Sequence, residues 1–307
     1  MIEICGKTQQ DATGRAIIQV TEAGENSISP YLCQFSVPLC SSQFTKIFPV
    51  LYKGANYTSL PSPTVSDLAP CSHLLLQNEI PFDATLSYLA LSKSPALKRP
   101  ITTIYNPSPM LTSAQISKEM KWDQIDWLVV NEGEAQQLLD AFPAPSQPET
   151  NLSEDILDSA SRLISRLASQ PLFKNVNVVC TLGPLGVIAH LPCATKAQVT
   201  QVIHEAGVPT KETRDTTGAG DCWTGYLVAG LMELEEKYAS VPAAARLDEE
   251  DIRRLLRRCN QVSERVFSSL LFLDSLIPYH VKGCGNVRGE GWGDGEYSRE
   301  RGSGRQV

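Results

Sequence analysis

The sequence predicts an α/β domain built on a mostly parallel sheet, and three observations carry that reading. Between about residues 72 and 235, short apolar runs alternate with longer amphipathic ones. The apolar runs have strand length and the amphipathic runs helix length, an order that reads as βαβ units. Most chemistry-bearing motifs fall where an apolar run ends, and parallel sheets bind ligands beyond the carboxyl ends of their strands.

Taken in order, the candidate strands are Ser72–Gln77, Ile101–Tyr105, Asp126–Val130, Val176–Cys180 and Gly186–Leu191. Between them lie the candidate helices Asp83–Ser92, Thr112–Met120, Glu132–Ala141 and Glu154–Ser169. Phe142–Leu152, punctuated by Pro143, Pro145 and Pro148, reads as a loop inside one domain, because the alternation resumes at once. Ser29–Val50 is rich in Pro, Ser, Cys and Phe, follows neither a strand nor a helix period, and reads as an insertion. Residues 282–307 carry eight glycines among Arg and Glu, a composition that cannot build a core, so a disordered tail is expected. The domain expected is therefore 1–281.

The 307 residues are 42% hydrophobic and 20% charged, enough for an independent core. No apolar run approaches the ~18 residues of a membrane span. The N-terminus lacks the basic-then-apolar profile of a secretory leader. Nine cysteines, an odd number without CxxC spacing, point to a reducing compartment, the cytoplasm with the nucleus also open. The net charge of −7 opposes nonspecific nucleic-acid binding, but not a nucleotide carried with magnesium.

Several hydrolase classes fail on pattern. Gly6-Lys7-Thr8 is not a P-loop, because the glycine required five residues earlier would fall on Met1. His73, His190, His204 and His280 are isolated, without HExxH, and no GxSxG elbow occurs.

The motif with the most chemistry is Asp215-Thr216-Thr217-Gly218-Ala219-Gly220-Asp221, followed by the apolar-periodic Trp223, Tyr226, Leu227 and Leu231. It reads as a glycine-rich turn feeding a helix N-terminus, where exposed N–H groups and the helix dipole favour an anion. Gly218, Ala219 and Gly220 are small enough for a phosphate to approach the backbone. Asp221, in the first turn, is placed to take a proton from an attacking hydroxyl. Donors beside a base are what phosphoryl transfer to an alcohol needs. A plain capping aspartate is the competing reading for GAGD alone.

The seven residues together resemble the signature of the ribokinase family, also called the PfkB carbohydrate kinases. The resemblance implies a three-layer αβα ribokinase-like fold with a small β lid. It implies Asp221 as catalytic base, Gly218, Ala219 and Gly220 as the anion hole, and Asp215 and Thr217 at a monovalent-cation (K+) site. Asn131-Glu132-Gly133-Glu134 is similar to the family's NxxE motif, implying Asn131 near ATP and Glu134 organising Mg2+; an ordinary helix charge also accounts for Glu134. Thr181-Leu182-Gly183-Pro184-Leu185-Gly186 resembles the strand–turn–strand with ATP contacts, and Asn260 an adenine-side residue, a solvated polar face remaining open for the latter. Gln77-Asn78-Glu79-Ile80-Pro81 and Asn106-Pro107-Ser108-Pro109 are similar to ribokinase strand ends, which implies that Glu79 helps hold the sugar. Thr13–Ala16 and Gly24–Ile28 resemble the small strand region of the lid and Gly54–Asn56 the segment after it, a lid remnant expected over about 11–57 with 29–50 inserted.

The resemblance runs from about residue 11 to 265. The family's opening strand, early sugar-binding Asp and GGKGAN segment have no counterpart, so a chain truncated at its N-terminus is expected. The activity implied is ATP-dependent phosphorylation of D-ribose to D-ribose 5-phosphate, with a homodimer through the lid. Adenosine or a ketose as acceptor, and a truncated nucleotide-binding pseudo-kinase, stay open. ATP binding is expected to outlast sugar binding.

Overall fold

The computed structural model describes residues 17–20, 26–29, 62–142, 155–192, 202–208, 218–238 and 249–268. Two strands, β1 (Ile17–Val20) and β2 (Asn26–Ser29), pair antiparallel with Ile17 opposite Ser29. Ser29, the first residue of the segment set apart by composition, thus closes a strand. The remainder of 30–61, the tail and Asp215–Thr217 lie outside the described residues.

The main sheet has six strands in sequential order: β3 (His73–Leu76), β4 (Thr102–Tyr105), β5 (Trp127–Asn131), β6 (Asn177–Thr181), β7 (Val187–His190) and β8 (Ile203–Glu205). The pairs from β3 to β6 are parallel, and β7 and β8 add antiparallel. Parallel strands are covered on both faces, and β5 and β6 accordingly read as nearly continuous apolar runs. The side chains of β5, β6 and β7 alternate between two cores. Leu128, Val130, Val178, Cys180 and Ile188 face one, and Trp127, Val129, Val179, Val187 and Ala189 face the other.

Helices α1 (Val65–Leu68), α2 (Phe82–Ser92), α3 (Glu132–Asp140) and α4 (Ile156–Ala168) precede β8, and α5 (Ala219–Lys237) and α6 (Glu249–Ser268) follow it. In α4, Ala160, Leu163, Ile164 and Leu167 form one buried stripe at helical spacing, and Asp155 caps the start by accepting from the Leu157 N–H at 2.9 Å. That stripe packs into the first core with α3, while Trp223, Leu227 and Leu231 of α5 and Ile252, Leu256 and Cys259 of α6 fill the second. The result is helices on both faces of a mostly parallel sheet.

The helix expected over Thr112–Met120 differs in kind. Gln115–Glu119 is a π turn, and the indole N–H of Trp122 donates to the Ile116 carbonyl at 2.8 Å. Sequence reading did not anticipate β8, whose three residues, Ile203-His204-Glu205, give too short a pattern to register.

Candidate active site

Four connections leave the carboxyl ends of β3 to β6, and their local chemistry fixes what they present. After β3, Asn78 turns inward and is buried. Its side chain accepts from the Tyr105 hydroxyl at 2.7 Å and donates to the Pro109 carbonyl at 2.7 Å, while its N–H donates to the Ser108 carbonyl at 3.0 Å. These bonds lock the turn after β4 against the turn after β3. Asn106 joins the next strand, donating to the Val129 carbonyl at 2.8 Å.

After β5, Asn131 and Glu134 form a reciprocal capping box at the start of α3. The Asn131 side chain accepts from the Glu134 N–H at 2.8 Å, and a Glu134 carboxylate oxygen accepts from the Asn131 N–H at 2.9 Å. Glu134 is half-buried, and burial pushes its carboxyl above the ordinary 4.5, against the opposing pull of the Asn131 N–H and the Ser108 hydroxyl. Beneath them the Cys180 thiol is pushed up to about 12, first by burial and then by the charges of Glu132 and Glu134, which leaves it a neutral core group.

The opposite wall comes from α5. Gly218 stands in the left-handed region with φ of +74°, which glycine adopts without a Cβ clash, and this sets the direction from which the helix begins. Gly220 and Asp221 are exposed in the first turn, and a Cβ at Gly220 would meet nothing within 4 Å. The Thr224 hydroxyl bonds back to the Gly220 carbonyl at 2.9 Å. From α6, the buried Ser263 hydroxyl donates to the Ala219 carbonyl at 3.2 Å, anchoring the turn from behind.

These segments meet in a cleft of about 130 Å³ lined by Asn106, Ser108, Asn131, Glu134, Thr181, Gly220, Asp221 and Thr224, with Val129 and Val130 as its floor. The N-termini of α3 and α5 both open toward it, so unsatisfied N–H groups and two helix dipoles favour an anion there. Two carboxylates, Glu134 and Asp221, stand on its two walls. An anion held at the open backbone of Gly220 would lie beside the Asp221 carboxylate, an arrangement that can support proton transfer next to a phosphate.

The sequence-predicted residues divide. Asp221, Gly220, Asn131, Glu134 and Thr181 come together in the cleft, with Gly218 and Ala219 forming the turn behind it. Leu182–Gly186 leads away as a tight turn between β6 and β7, with Leu182 N–H donating to the Gly186 carbonyl at 2.8 Å. Gly186 has φ of +94°, and a Cβ there would sit 2.2 Å from the Glu205 carbonyl oxygen, so the turn packs directly on the backbone after β8. Glu79 is exposed at the end of β3 and is not among the residues lining the cleft. Asn260 is buried in the interior and bonded to protein groups through both ends of its amide. Asn106, Ser108 and Thr224 were not singled out as site residues. The signal for the first two was their position immediately after β4, and for Thr224 its place one helical turn beyond Gly220.

Among the described residues no cluster of three His, Cys, Asp or Glu side chains forms a metal cage. A lone half-buried carboxylate suits Mg2+, which is commonly held by one or two carboxylates together with substrate phosphates. No helix among the described residues is long and apolar enough to cross a membrane.

With this geometry in place, comparison with known proteins is specific. Residues 97–266, more than half of the chain, match the pfkB family carbohydrate kinase, and the chain belongs to that family. Ribokinase from Lactococcus lactis subsp. lactis is 30% identical over 195 residues, covering 60% of this chain and 49% of the relative. Ribokinase from Staphylococcus aureus is 26% identical over 236 residues, covering 76% of this chain and 61% of the relative. The chain thus spans less than two thirds of the length of these two relatives. Among solved structures, ribokinase from Cryptococcus neoformans var. grubii in complex with ADP aligns at 34% identity and a TM-score of 0.59, covering 85% of this chain and 67% of that one. Ribokinase from Giardia lamblia aligns at 23% identity and a TM-score of 0.60, over 86% of this chain and 68% of that one, a likeness of fold.

Proposed function

We propose that this protein transfers the γ-phosphoryl group of ATP to a sugar hydroxyl, with D-ribose, phosphorylated at O5, as the acceptor. The observation that carries the reading is the convergence of Asn131, Glu134, Thr181, Gly220 and Asp221, from three separate connections, on one cleft at the carboxyl ends of the strands. Family membership supports the reaction class, and the 34% identity to a ribokinase that binds ADP supports nucleotide and acceptor.

The chemistry follows from the side chains. Asp221 accepts the hydroxyl proton as the acceptor oxygen bonds to the γ-phosphorus. The bond from that phosphorus to the β–γ bridging oxygen breaks, and ADP leaves with the electron pair. The N–H groups from Gly218 to Gly220 donate to the phosphoryl oxygens as their charge redistributes. Glu134 is the residue that would hold Mg2+ with the phosphates, the ion would supply neutralisation of phosphate charge, and Asn131 is assigned to ATP. Thr181 and the following turn to Gly186 are assigned to the nucleotide, and Glu79 to the sugar. Asp215 and Thr217 would serve K+. A homodimer formed through the lid would enlist β1 and β2.

A second reading, a protein that binds nucleotide without transferring phosphate, draws on one observation: Glu79 stands exposed, outside the residues that line the cleft. An assay of ADP release with ribose, adenosine and fructose 6-phosphate in parallel separates the readings. Release led by ribose is expected. Release led by another acceptor would reassign the substrate, and ATP binding with no release from any acceptor would favour the second reading.

A further inference from the structure

Asn260 lies at the crossing of three elements. From α6 its side-chain oxygen accepts from the Trp223 indole N–H at 2.9 Å, and its amide nitrogen donates to the Glu205 and Ala206 carbonyls at 3.0 and 3.1 Å. Both N–H donors of the amide and its oxygen are engaged, and the residue is buried. One turn further along α6, Ser263 holds the Ala219 carbonyl.

The partners are not incidental. Ala219 opens α5 and Trp223 lies one turn on, at the end of the helix that presents Gly220 and Asp221 to the cleft. Glu205 and Ala206 are the backbone on which Gly186 rests, with no room even for a methyl group. A continuous path therefore runs from the Thr181–Gly186 turn, through the 205–206 carbonyls and Asn260, to the helix N-terminus that faces the cleft. Its bonds from Trp223 to Asn260 and from Ser263 to Ala219 are buried, where bond geometry is held most strictly.

We infer that Asn260 is a positioning residue: without touching nucleotide, it fixes the spacing between the Thr181–Gly186 turn and the N-terminus of α5, so that one ATP molecule engages both. The inference rests on the proposed function. A ligand that reaches both segments depends on their spacing, while a ligand that lacks the outer phosphates does not. This differs from a direct adenine contact, in which loss of Asn260 weakens every adenine nucleotide alike.

The test compares Mg–ATP and AMP affinity by calorimetry for the parent chain, Asn260→Ala and Trp223→Phe. The Trp223→Phe variant keeps the buried ring and removes only the N–H. In either variant the Arg253–Glu205 ion pair, at 2.7 Å, still holds β8 to α6. Both variants are expected to bind Mg–ATP about tenfold more weakly, the effect of stranding buried polar partners, with AMP affinity changed by less than about twofold. Equal losses for both ligands in Asn260→Ala would overturn the inference in favour of direct contact. Unchanged affinity for both ligands, with a lowered unfolding temperature, would reduce the network to stability alone. Should Asn260→Ala fail to fold, Trp223→Phe carries the same test. A parent chain with no affinity for Mg–ATP would overturn the proposed function itself, whereas a binding parent with unaffected variants would overturn this inference only.

Discussion

Glu134 meets two demands that point in different directions. As the N3 residue of α3 it caps a helix, a task glutamine performs equally well. As a half-buried acid on the cleft wall, it holds a charge that burial disfavours. Its raised pKa has a definite sign: the native state binds this proton more tightly than the unfolded chain does. Its contribution to stability is thus fully present below the ordinary 4.5 and is lost as pH rises through the native value. Glu134→Gln should therefore leave the fold intact at neutral pH, while raising the magnesium concentration needed for ATP binding. In the parent, magnesium-dependent binding should fade on acidification at a pH above 4.5, and the variant should lack that limb. Magnesium titrations followed by calorimetry check both, and an unaltered titration would leave Glu134 with its capping role alone.

At the scale of elements, the two ends of the sheet are specialised. At the amino ends, one Asp126 carboxylate oxygen accepts from the Thr103 N–H at 2.7 Å, the Thr103 hydroxyl at 2.9 Å and Lys93 at 2.6 Å. The Asp126 carbonyl takes the Asn177 N–H and side-chain amide, each at 3.0 Å. This knot ties β4, β5, β6 and the end of α2, far from the cleft at the opposite ends. Asp126→Ala should cost about 1–3 kcal/mol, mostly from the stranded Thr103 N–H, since the Thr103 hydroxyl keeps the Gln124 carbonyl and the partly exposed Lys93 pair adds little. Thermal unfolding should register that loss while ATP affinity stays unchanged; a parallel fall in affinity would show the two ends to be coupled. The strands were legible because burial on both faces demands apolar runs, as in Trp127–Val130, and α4 because its stripe keeps helical spacing. By contrast β8 has three residues, two of them polar, and is set by its antiparallel pairing with β7, which no local pattern announces. The π turn depends on Trp122 reaching back to Ile116, a contact that emerges only on packing.

For the molecule as a whole, the helices packed on either face are what bring distant motifs to one end of the sheet. That packing also buries His73, whose side chain is 4% exposed and 3.5 Å from the Glu235 carboxylate of α5. Burial lowers its pKa below 6.5 and outweighs the opposing pull of Glu235. A depressed native pKa means the unfolded chain protonates first, so stability is present above 6.5 and is lost as pH falls through the native value. Unfolding temperatures at about pH 7.5 and about pH 5.5 should show this loss, reduced in His73→Gln; equal slopes in both proteins would assign the acid sensitivity elsewhere. The motif residues of the candidate site were legible because glycine turns, capping pairs and acids carry local chemistry. Asn106, Ser108 and Thr224 enter the cleft only through the stacking of strands and helices, and Asn260 reads as a polar helix position until the fold encloses it. The central claim is that Asp221 is the base of a phosphoryl-transfer centre. It is tested most directly by ribose-dependent ADP release from the parent and Asp221→Asn, with Mg–ATP affinity measured on the same samples. The account predicts a fall in turnover of about a hundredfold or more with affinity largely retained, and turnover within a few-fold of the parent would contradict it.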